Sequence, residues 1–169
     1  MNLVTDNLPA ITLGFNPSSQ DVMNKKPRKK SHILEKKLIY LIIIAGTIIG
    51  VITLGVFYFV LNVLNQELVV ARTTALVTLI FFEIAHAFNF RSFRKRVLNR
   101  SPFVNKYLVY ASLISLLATF LIIYTPLNKV FETSPIGWLN LLIAFVASLI
   151  IIFVFDIMKV KKGDLSQEK

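Results

Sequence analysis

The chain has no cysteine among its 169 residues. That excludes a disulfide framework and a thiolate metal site, leaving oxygen and imidazole as metal ligands. Histidine is nearly absent as well, with two residues, and acidic groups are few: 9 Asp and Glu against 19 Lys and Arg, a net charge of +10. There is no glycine-rich phosphate loop, and no nucleophile, base and orienting group can be picked out together. No catalytic residue is therefore assigned. The N-terminus carries neither the basic region nor the cleavage site of a secretory signal.

What the chain has in quantity is apolar side chains, 55% of the total. That is too apolar for an ordinary soluble domain and predicts a polytopic membrane protein. Residues 38–61, 71–90, 107–124 and 136–155 form four apolar runs. Each is close to the roughly 20 residues that a helix needs to cross a bilayer. Inside lipid a single segment must satisfy its own backbone hydrogen bonds, so these runs are read as helices. The fold class is all-α integral membrane: four transmembrane helices, preceded in residues 1–17 by the inner part of a further membrane helix.

The basic residues set the topology. Seventeen of the 19 lie in residues 18–37, 91–106 and 159–169; Arg72 and Lys129 alone flank the other two turns. Four spans put the three basic regions on one side, and the positive-inside rule makes that side cytoplasmic. The same clustering between apolar runs turns the high charge into a topology signal and argues against a nucleic-acid partner. The expected partner is the lipid bilayer, with anionic headgroups drawn to the basic loops.

Within the spans, Gly46, Gly50 and Gly55 thin one side of the first, where a neighbouring helix can come close. Glu83, His86 and Asn89 form a polar stripe in the second. Such groups face other helices rather than lipid. Glu83 is either part of an ion pathway or a structural group bonded to His86 or to backbone. Ser112, Ser115 and Thr119 of the third can bond back to their own helix carbonyls and need no function. Trp138 opens the fourth at the interface, and Asp156 is expected to end it, pairing with Lys159 or Lys162.

The first seventeen residues carry the most specific signal. Asn2, Thr5 and Asp6 stand at i, i+3 and i+4, so one helix face presents an amide, a hydroxyl and a carboxylate oxygen. This is the donor chemistry of a hard cation such as Ca²⁺. A carboxylate in an apolar segment is costly and marks an ion or proton site. Pro9 follows, cannot donate a backbone hydrogen bond, and is expected to interrupt the helix and free a carbonyl near the site.

Asn2-Leu-Val-Thr-Asp6, then Leu8-Pro9-Ala10 and Leu13-Gly14-Phe15-Asn16-Pro17, resemble the sixth transmembrane helix of P-type cation-transporting ATPases, calcium pumps of the sarcoplasmic-reticulum type above all. Asp21-Val-Met followed by Pro27-Arg28 resembles the loop after that helix; Ala71-Arg72-Thr73 with Glu83, Ala87, Asn89 and Ser92 resembles the eighth span. The resemblance implies that the four full runs are spans seven to ten. It implies that Asn2 and Asp6, with Thr5 a lesser candidate, are cation ligands. Where two-ion pumps of the family have a ligating Glu near the inner end of the eighth span, a gap-free alignment puts Phe93 between Arg91 and Arg94. One cation site is therefore expected.

The family's Asp-Lys-Thr-Gly-Thr phosphorylation motif is absent from this sequence. The chain alone is thus not expected to hydrolyse ATP. It has no cofactor of its own; ATP and Mg²⁺ belong to the parent pump, and Ca²⁺ is the expected cargo. The expected partner is the N-terminal part of such a pump, with spans one to six and the cytoplasmic domains, and the expected location is the plasma membrane. The rival expectation is a free-standing four-span scaffold or regulatory subunit.

Overall fold

The computed structural model describes residues 7–15, 36–90 and 102–164. Every regular element among them is helical. α1 is short, Asn7–Thr12, and continues as a 3-10 turn, Leu13–Phe15. α2 spans Lys36–Tyr58, α3 Leu68–Phe90, α4 Lys106–Tyr124 and α5 Trp138–Asp164.

Three of these helices are long and apolar enough to cross a membrane: Ile39–Val63, Leu68–Phe90 and Lys106–Tyr124. Trp138–Val154 is a shorter apolar stretch, and the helical backbone of α5 runs on past it to Asp164. Charged residues can continue a helix that has left the lipid, because water then solvates their side chains while the backbone ladder persists.

Local sequence explains the ends. α2 widens into a π-helical turn, Phe59–Val63, closed by the Leu64 amide on the Phe59 carbonyl at 3.0 Å. Asn65 then reverses the chain at φ 48°, a left-handed conformation that asparagine adopts more readily than most residues. α4 stops at Thr125 because Pro126 forces the residue before it out of the helical region, and Thr125 is extended at φ −112°, ψ 173°.

α3 is the centre of the molecule and touches each of the other four helices, α5 most extensively and then α2. Phe82, fully buried, packs with Ala45, Ala85 and Ile151; Val60 packs with Val56, Ala71 and Ala147. Val77 groups with Ile123, Ile136 and Ala144. Alanines recur at these contacts because helix association in lipid depends on close approach. The glycines of α2 face no described helix. Apart from the local backbone of α2 and the adjoining residues, no heavy atom of the described residues lies within 4 Å of a Cβ placed at Gly46, Gly50 or Gly55.

The polarity of the fold is inverted. Large apolar side chains point outward on α2 (Ile43, Leu54), α4 (Leu113, Leu117) and α5 (Phe145, Phe153), while Thr73, Thr74, Thr78, Ser112, Ser115 and Thr119 are buried. Their hydroxyls mostly return to the preceding turn, as Ser112 does to Leu108 and Thr119 to Ser115, both at 2.8 Å. Such bonds satisfy a buried hydroxyl without a partner helix.

Candidate functional site

The expected ligands Asn2, Thr5 and Asp6 lie outside the described residues, as do Phe93 and the side chain of Asp156. The segment that follows the ligands is α1. Pro9 sits buried in its first turn, where the missing N–H removes no bond within α1. α1 contains Pro9, and any interruption between it and residues 1–6 lies outside the described residues. The carbonyl that Pro9 would leave unpaired, that of Thr5, is outside the described residues.

The other end of α1 is well defined. The Thr12 hydroxyl donates to the Pro9 carbonyl at 2.7 Å. The Thr12 carbonyl accepts from Asn105 Nδ2 at 2.9 Å, across 93 residues of sequence. Asn105 Oδ1 in turn accepts from the Leu108 amide at 3.1 Å and caps α4. The next turn adds an aromatic contact, with the Phe15 and Tyr107 ring centroids 5.4 Å apart.

The polar stripe lies on α3. Asn89 is 1% exposed and its amide reaches the Ile151 carbonyl of α5 at 3.4 Å. His86 is half-buried with its ring edge-on to Phe90, centroids 4.3 Å apart, and Glu83 is half-buried one turn earlier. Among the described residues no three His, Cys, Asp or Glu side chains come together in a way that could hold a metal ion. Glu83 and His86 thus lack a third such ligand there, and the Asn89 amide group is engaged with α5.

Comparison with known proteins decides the family. The cation transporting ATPase, C-terminus, matches residues 1–160. The chain belongs to this family. The match takes in the Asn2–Asp6 motif, α1 and the helices to which α1 is attached. A calcium-transporting ATPase of Bacillus subtilis is 38% identical over 144 residues, 82% of this chain and 16% of that protein. Calcium-transporting ATPase 1 of Bacillus cereus is 33% identical over 178 residues, 96% of this chain and 20% of that protein. The human calcium-transporting ATPase type 2C member 1 is 34% identical over 173 residues, 100% of this chain and 18% of that protein. The chain thus spans 16–20% of the length of these relatives. With its long apolar helices, this member of the C-terminal family is an integral membrane protein.

Sequence reasoning overlooked Asn105, which it counted only as part of a basic loop. The signal was present: an asparagine just before an apolar run is a helix N-cap signature. It also overlooked Asn140, whose amide donates to Gln66 Oε1 at 2.7 Å, and Thr73, whose hydroxyl accepts from the Ser134 amide at 3.0 Å. No sequence pattern links residues 74 or 61 positions apart.

Proposed function

We propose that the chain is the C-terminal membrane part of an ATP-driven Ca²⁺ pump. Asn2 and Asp6, with Thr5 as a lesser donor, give oxygen ligands to a cation site whose remaining ligands come from segments outside this chain. Three donors fall short of the six to eight that Ca²⁺ takes, so the site is shared. α2–α5 correspond to spans seven to ten and brace the ligand-bearing segment. In this arrangement Trp138–Val154 crosses the bilayer and the basic regions 18–37, 91–106 and 159–169 face the cytoplasm. Phosphorylation and nucleotide binding, with ATP and Mg²⁺, reside in the rest of the pump.

The observation that carries this reading is the family match over residues 1–160, which includes positions 2, 5 and 6 and the four long helices. The names of the relatives, calcium-transporting ATPases, support Ca²⁺ as cargo. The test is Asp6→Asn in the complete pump. The expected result is loss of cation-dependent phosphorylation with expression intact; normal transport by that variant would sink the ligand assignment.

A further inference from the structure

Asn105 joins two helix ends with one side chain. The last carbonyls of a helix have no partner in the helix, and neither have its first amides. The Thr12 carbonyl closes α1 and the Leu108 amide lies in the first turn of α4. Asn105 donates to the first through Nδ2 at 2.9 Å and accepts from the second through Oδ1 at 3.1 Å. Asn105 is 2% exposed, so water has little access to either bond. Both of its polar atoms are engaged, and the orientation of the amide is thereby fixed.

A second, independent contact lies beside it. Phe15 and Tyr107 touch with ring centroids 5.4 Å apart at a 44° tilt. α1 has six residues and cannot hold its own position through length. Its neighbours are α4 and, to a smaller extent, α3. Asp6 immediately precedes α1 in sequence, so the anchoring of Thr12 bears directly on the ligand-bearing segment.

We infer that Asn105 is a positioning residue for cation binding: it pins the end of α1, the segment that follows the proposed ligands Asn2, Thr5 and Asp6 in sequence, to the start of α4. The inference rests on the proposed ligand role of those three residues. Both polar atoms of Asn105 are engaged with the protein, which suits it to positioning rather than to ligation.

Asn105→Ser separates its two tasks. Serine keeps an N-cap oxygen for the Leu108 amide but is too short to reach the Thr12 carbonyl. In the complete pump this variant should fold and reach the wild-type maximum of phosphorylation. The cation concentration for half-maximal phosphorylation should rise about three- to tenfold, the loss of one net hydrogen bond. Phe15→Ala should shift it in the same direction through the ring contact. Ser112→Ala, on the same face of α4 but bonded only to its own helix, should leave it unchanged. An unshifted half-maximal concentration in Asn105→Ser, with Asp6→Asn inactive, overturns the positioning role while the ligand assignment stands. A lowered maximum at unchanged affinity also overturns it and makes Asn105 a folding group. Normal phosphorylation by Asp6→Asn removes the ligand assignment and the positioning role together.

Discussion

Asn140 and Gln66 meet across 74 residues of sequence, with the Asn140 amide donating to Gln66 Oε1 at 2.7 Å. Asn140 lies in the first turn of α5 and is 2% exposed; Gln66 lies in the turn that joins α2 to α3. The bond ties the start of α5 to the α2–α3 turn, at the end of the bundle where Ser134 also binds Thr73.

This pair should show measurable coupling. A double-mutant cycle of Gln66→Ala and Asn140→Ala is expected to give about 0.6 kcal/mol, and no more than about 1.7 kcal/mol, for an interhelical hydrogen bond in a membrane protein. Unfolding in mixed micelles measures it. Strict additivity would mean that the two groups do not interact in the lipid-embedded protein.

Phe82 is fully buried among Ala45, Ala85 and Ile151, where α2, α3 and α5 converge. Phe82→Ala should destabilise the bundle by about 3–5 kcal/mol, because the three helices cannot all collapse into the vacated volume. A change below 1 kcal/mol would place this contact outside the core.

Gly50 offers the opposite case. Beyond the local backbone of α2 and the adjoining residues, nothing among the described residues lies within 4 Å of an added Cβ there. In this chain alone, Gly50→Ala should therefore stabilise α2 by about 0.5–1 kcal/mol through backbone entropy. A destabilised chain would show that another part of the same polypeptide covers that face.

Ser112 and Thr119 are buried, yet among the described residues each hydroxyl bonds only to a carbonyl one turn back. Ser112→Ala should be close to neutral in thermal unfolding, since the carbonyl keeps its helix partner. A large loss would reveal a role across helices.

The helices were legible in the sequence for a simple reason. A long uncharged run in lipid has to satisfy its backbone internally, so residues 38–61 could be little other than helix, and α2 with its π turn covers them. The serine and threonine back-bonding of α4 was legible too, since it needs only the local turn. The extension of α5 to Asp164 was not legible, because apolarity marks where lipid ends, not where a helix ends. The donor triad at positions 2, 5 and 6 was read from residue chemistry and resemblance, and its three residues lie outside the described part of the molecule.

The sequence by itself determined the membrane class, the placement of the long apolar helices and the family to which the chain belongs. Only the tertiary structure decided which faces meet: Phe82 inward and Leu117 outward, Asn89 against Ile151, Asn105 against Thr12. The physical reason lies in the solvent. In water, one face of a helix is polar and the pattern shows which side is buried. In lipid both faces are apolar, so periodicity cannot tell the inside from the outside. The choice then rests on shape, on alanines that allow close approach, and on a few polar groups whose partners lie far away in sequence.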